Sequence, residues 1–127
     1  MASLSDIIKL IRPINALIVF AALMVVRLIL IGFYNSFDIH PIIDAADYFL
    51  MMCIGMLILG AGNVVNDIID VDIDLVNKPH KALIPGRVSI RQAWIVYFSI
   101  NILALLLSVY LIMKYQVGWY IFMPFCA

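Results

Sequence analysis

The stretch G-A-G-N-V-V-N-D-I-I-D-V-D-I-D-L-V-N-K-P-H-K-A-L-I-P-G-R, residues 60–87, decides how this chain is read. Four of the eight acidic residues, all aspartate, lie between Asp67 and Asp74, directly after an uncharged apolar run. On a helical wheel of about 100° per residue, Asn63, Asn66, Asp67, Asp70, Asp74 and Asn77 fall within a sector of roughly 100°, while Asp72 points the opposite way. One face thus carries three carboxylates and three amides with no cation between them. Like charges three and four residues apart weaken a bare helix. A bound divalent cation removes that penalty, because hard cations take oxygen ligands.

Two rival geometries fit less well. Asp70, Asp72 and Asp74 alternate with Val71, Ile73 and Leu75, a strand period, but an open strand edge at membrane depth leaves backbone groups unpaired. The D-x-D-x-D spacing also opens a calcium-binding EF-hand loop. That loop needs Gly sixth and Glu twelfth, where this chain has Leu75 and Lys81.

Working outward, the 127 residues are 66% hydrophobic and only 13% charged, with a mean hydropathy of +1.13. Such a composition marks a membrane protein. A net charge of zero argues against a nucleic-acid partner. Cys53 and Cys126 both sit in apolar runs and read as small buried hydrophobes.

Residues 1–13 place Asp6, Lys9 and Arg12 among Leu4, Ile7, Ile8, Leu10 and Ile11, which suits a helix lying on a membrane surface. Three spans are expected, over Ile14–Phe33, Tyr48–Val65 and Ala93–Met113. Each is long enough to cross the hydrocarbon core. Arg27 inside the first reads as snorkelling or paired with a neighbouring helix, with a substrate contact as the sharper alternative. Gly60-Ala61-Gly62 allows close helix approach or a local break. Trp94 and Tyr97 suit the membrane interface. A run of 11 residues from Val117 to Ala127 is too short to cross and reads as the start of a fourth span, cut short. Residues 34–47 hold no Lys or Arg, whereas residues 1–13 and 66–92 are basic. The expected protein is therefore a multi-pass protein of the cell's inner or plasma membrane, with its N-terminus and Asp-rich loop cytoplasmic.

Carboxylates and amides followed by cations suggest a specific chemistry. Aspartate oxygens hold Mg²⁺, which keeps positions open for phosphate oxygens. Lys78 and Arg87 can meet the outer phosphate oxygens. Such a site stabilises charge on a departing pyrophosphate, and a lipid-soluble diphosphate would lay its tail between the helices. His80, without an identified partner, reads as a solvated loop residue.

N-D-I-I-D-V-D-I-D-L-V-N-K-P, Asn66 to Pro79, resembles the first aspartate-rich motif, N-D-x-x-D-x-x-x-D, of the UbiA superfamily of membrane prenyltransferases. His80 to Ser89, H-K-A-L-I-P-G-R-V-S, resembles the continuation, with Lys81 in place of the usual arginine and Ala82 in place of proline. The resemblance implies an all-α bundle of about nine spans, helices being able to cross lipid with every backbone group paired. It implies that residues 1–127 are the N-terminal portion of a single prenyltransferase domain, inactive without the remaining C-terminal spans and their second aspartate-rich motif. It also implies Mg²⁺-dependent transfer of a prenyl group from its diphosphate to a lipid-soluble acceptor. Asn66, Asp70 and Asp74 match the Mg-diphosphate positions, with Asp67 as a further metal candidate. Lys78, Arg87 and Asn63 are the expected substrate contacts. The phrase most resembles the branch acting on geranylgeranylglyceryl phosphate, while quinone and chlorophyll branches share much of it. A cation-transporter fragment is the reading from another class; it expects acidic residues deep within spans.

Overall fold

A computed structural model describes residues 3–38, 43–77, 84 and 86–116. Five helices follow in order: α1 (Leu4–Ile11), α2 (Pro13–Ser36), α3 (Ala45–Ile69), α4 (Val71–Asn77) and α5 (Ile90–Tyr115). The fold is all-α, as expected. Helices α2, α3 and α5, of 24, 25 and 26 residues, are long and apolar enough to cross a membrane. At about 1.5 Å per residue each exceeds the ~30 Å hydrocarbon core. All three run a few residues past the bounds expected from sequence. Helix α3 is central: α5 and α2 both pack against it, and α1 lies across the end that leads into α4.

Local chemistry sets the boundaries. Ser3 opens α1 with a reciprocal capping box to Asp6, and Ser89 opens α5 in the same way with Gln92. Each satisfies two backbone donors that a helix start leaves free. The Ser3 hydroxyl bond holds the Asp6 carboxyl below the usual carboxylate range. Pro13 disfavours a helical conformation at the residue before it, so α1 must stop. Arg12 takes the left-handed region instead, φ 57° and ψ 69°, a conformation that costs about 1–3 kcal/mol in a non-glycine residue. It is held by its own N–H donating to the Lys9 carbonyl at 3.1 Å.

The seat of α1 on α3 is tight. A Cβ on Gly60 would lie 2.8 Å from Ile11 Cγ2, so only glycine lets the two helices approach this closely. The Asn63 side-chain amide donates to the Ile11 carbonyl at 3.0 Å. Leu10, Val64, Val71, Ile84, Val88 and Ala93 form one buried cluster. That cluster draws α1, α3, α4, Ile84, Val88 and α5 together next to the acidic stretch.

At the opposite end, Asp47 is 4% exposed and accepts hydrogen bonds from Lys114 and the Tyr115 hydroxyl. Lys114 also pairs with Asp44 at 3.2 Å. The Asp44 carboxyl lies below the usual range, first because it accepts the Asp47 backbone N–H. This cluster ties the start of α3 to the end of α5. Beside it, Tyr48 donates to the Leu23 carbonyl at 3.0 Å, and the Arg27 guanidinium lies 4.8 Å over the Tyr48 ring. Arg27 also donates to the Ile43 carbonyl at 3.5 Å, so it bridges α2 and the start of α3, the paired alternative of its sequence reading. Removing one partner of a buried ion pair leaves the other uncompensated. Lys114→Met is therefore expected to lower the melting temperature of the detergent-solubilised protein, and Asp47→Asn added to it should recover part of the loss. Equal melting of Lys114→Met and the parent would show that this cluster does not hold the start of α3 to the end of α5.

Candidate functional site

The acidic stretch is not one helix. Helix α3 ends at Ile69, Asp70 sits at φ −86° and ψ 8°, and α4 begins at Val71. The sequence reading expected a single helix through Asn77. The interruption has an electrostatic reason. Carboxylates at a helix C-terminus face the negative end of its dipole, a cost of about 0.3–1 kcal/mol each, and gain as much in a first turn. Restarting at Val71 puts Asp72 and Asp74 into the first turn of α4.

The register nevertheless survives the break. The Asp70 N–H donates to the Asn66 carbonyl at 2.9 Å, and the Asp74 N–H donates to the Asp70 carbonyl at 2.8 Å. Asn66, Asp70 and Asp74 therefore rise one turn apart up the same side, a ladder of oxygen donors. Asn66 and Asp70 are exposed and Asp74 is half-buried, whereas Asp72 is exposed. Among the described residues neither Asp70 nor Asp74 has an ion-pair partner.

The other sequence-derived candidates divide. Asp67, with its side chain 16% exposed, is paired with Arg12 from the α1–α2 junction. Asn63 is buried and its amide N–H is taken by Ile11, so it anchors α1 where the sequence suggested a substrate contact. Arg87 stands 3.6 Å from Asp6, its side chain 62% exposed, which leaves most of the guanidinium open to a second anion. Lys78, His80 and Lys81 lie outside the described residues. Helix α1 thus touches both halves of the site, through Arg12 to Asp67 and through Asp6 to Arg87. Sequence reasoning missed this role, and it missed the Ser89 cap that fixes where α5 starts; the S-x-x-Q spacing carried that signal.

The family is decided by a match that includes this ladder: the model of the UbiA prenyltransferase family fits residues 36–126. The chain belongs to that family. Three curated relatives are each named digeranylgeranylglyceryl phosphate synthase. That of Korarchaeum cryptofilum is 30% identical over 94% of this chain and 42% of its own length. That of Methanosarcina mazei is 39% identical over 56% of this chain and 23% of its own. That of Methanococcoides burtonii is 36% identical over 73% and 32%. The UbiA-family chain therefore spans under half the length of each. No solved structure matches it.

The site's fit to Mg²⁺ follows from its donors. Every candidate ligand of this UbiA-family chain is an oxygen, the ligand type a hard cation takes. Among the described residues no three His, Cys, Asp or Glu side chains form a group that could hold a metal alone. Mg²⁺ is commonly held by one or two carboxylates with substrate phosphates completing the shell, and a ladder spread over two turns suits that division.

Proposed function

We propose that this chain forms one wall of a membrane prenyltransferase active site, where a prenyl group passes from its diphosphate to a lipid acceptor, with geranylgeranylglyceryl phosphate the best fit. The observation that supports this reading is the Asn66–Asp70–Asp74 ladder at the mouth of an apolar three-helix bundle. The names of the relatives support the acceptor. Asn66, Asp70 and Asp74 would hold Mg²⁺, and the ion when bound would neutralise charge on the diphosphate. Asp67 stands beside the set with Arg12 as its counter-ion. Arg87 and Lys78 supply positive charge to the outer phosphate oxygens. These groups favour breaking of the allylic C1–O bond, whose electron pair departs with pyrophosphate. An acceptor hydroxyl oxygen then bonds to C1, and its proton passes to solvent water or to the departing pyrophosphate.

Five of the eight Lys and Arg residues precede α2 or lie between α4 and α5, and a sixth, Arg91, is in the first turn of α5; these segments flank the ladder along the chain. Basic segments stay cytoplasmic, which supports a site at the cytoplasmic face. The transporter reading expects carboxylates far inside the spans, but Asp47, the one buried carboxylate among the described residues, lies at a helix start and is neutralised by Lys114. The test is binding of labelled geranylgeranyl diphosphate to the intact protein in nanodiscs, with Mg²⁺ and with EDTA. Binding that needs Mg²⁺, followed by transfer to geranylgeranylglyceryl phosphate, is the expected result. Binding that EDTA leaves unchanged would sink the proposal.

A further inference from the structure

The half-buried carboxylate beside the ladder is closed by a cation from another helix. Asp67 precedes Asp70 by one turn and Asp74 by two, so the three carboxylates share one side of the chain. Among the described residues Asp70 and Asp74 have no ion-pair partner, whereas Asp67 is paired with Arg12. That pairing is built in by the seat of α1. Ile11 packs on Gly60, and its carbonyl accepts the Asn63 amide N–H. Asp67 lies one turn beyond Asn63 on α3, and Arg12 directly follows Ile11, so the same seat delivers the guanidinium to the carboxylate. The Arg12 backbone is held on both sides: its N–H donates to the Lys9 carbonyl at 3.1 Å, and its own carbonyl accepts the Asn15 N–H at 3.0 Å.

A guanidinium seated on a carboxylate competes for the oxygens that a metal would use, and it repels a dication. With Asp67 neutralised, the ladder offers two uncompensated carboxylates. Mg²⁺ is commonly held by that number while substrate phosphates fill the rest of its shell. A third free carboxylate would tighten the hold on the bare ion, because ligand charge sets how strongly such sites bind a cation. We infer that Arg12 is a positioning residue of the ladder: by holding Asp67 it keeps that carboxylate away from the cation, and Asp67 in turn keeps the guanidinium off Asp70 and Asp74. This inference rests on the proposed prenyl-transfer reading, and it assigns the ladder a fixed charge, which leaves the diphosphate to complete the shell. The two charges cancel beside the ladder. Removing either one alone shifts the local charge by one unit, in opposite directions, and removing both restores it.

The test follows that cycle. Mn²⁺ binding to the intact protein in nanodiscs, without diphosphate, is measured by electron paramagnetic resonance for the parent, Asp70→Asn, Arg12→Gln, Asp67→Asn and the double variant Arg12→Gln with Asp67→Asn. The binding lost in Asp70→Asn marks the ladder's share. Arg12→Gln is expected to tighten that share about tenfold and Asp67→Asn to weaken it about tenfold, the scale of one unit charge acting on a dication in a partly solvated site. The double variant should return to within about twofold of the parent, because the two effects oppose each other within one pair. It should also bind pyrophosphate with Mn²⁺ as the parent does. A double variant as weak as Asp67→Asn would make Asp67 a metal ligand and overturn the inference. Single variants that bind like the parent would overturn it too. So would loss of pyrophosphate binding in the double variant, which would make Arg12 a substrate contact. Arg12→Gln strands Asp67 without its cation; should that protein fail to fold, the comparison of Asp67→Asn with the double variant decides by itself. Unchanged Mn²⁺ binding in Asp70→Asn would instead take down the prenyl-transfer reading, and this inference with it.

Discussion

Replacing Asp70 and Asp74 together by alanine is expected to abolish Mg²⁺-dependent prenyl transfer while leaving the intact protein folded. Both carboxylates belong to the ladder, and among the described residues neither has an ion-pair partner that the change would orphan. Removing like charges four residues apart relieves repulsion of a few tenths of a kcal/mol. The melting temperature should therefore hold or rise slightly. The loss in turnover should be large, on the order of a thousandfold, because groups that stabilise developing charge in a water-poor site are individually worth about 10²–10³. Half-saturation by Mg²⁺ should rise in the single variants Asp70→Asn and Asp74→Asn. Asp72→Asn, on the opposite face, should keep parental turnover. Activity in the double alanine variant within tenfold of the parent would remove the ladder from the mechanism.

Gly60→Leu should be the most damaging single change to the architecture of the site. A Cβ alone would stand 2.8 Å from Ile11 Cγ2, and a full leucine cannot be placed without lifting α1. Overpacking costs about 1–3 kcal/mol, and the lift exposes more. Leu10, now fully buried, would lose a burial worth roughly 1.5–3 kcal/mol. The Asn63 amide and the Ile11 carbonyl would part. The pairs Arg12–Asp67 and Asp6–Arg87 would separate with them, so both halves of the site would lose their link through α1. The measurable results are a lowered melting temperature and faster proteolysis within residues 3–12. A Gly60→Leu protein that melts and resists protease like the parent would show that α1 is not seated through this contact.

The legible part of the fold was the local part. Span lengths follow from runs of apolar residues, and the three helices appear where those runs lie, extended at their ends by caps. The ladder was legible for the same reason: a spacing of four residues repeats a helical turn. The interruption at Asp70 escaped notice because a wheel treats the helix as uniform and ignores the dipole at its end. The roles of Asn63 and Asp67 were not legible. On the wheel both share the acidic face, and only their neighbours separate them from Asn66, Asp70 and Asp74. Gly60 and Gly62 present the same problem, since of two identical residues two positions apart one is packed against Ile11 and the other, among the described residues, is not packed against anything.

From the sequence alone came the all-α class, three membrane-long helices, the family resemblance and the positions of the oxygen donors. All of these depend on composition and on spacings within a few turns of chain. The tertiary structure decided which polar groups are already paired among the described residues. Asp67 is claimed by a residue 55 positions away and Asn63 by one 52 positions away. Pairings of that reach depend on how α1 folds back onto α3, a matter of packing and backbone approach that no local periodicity encodes.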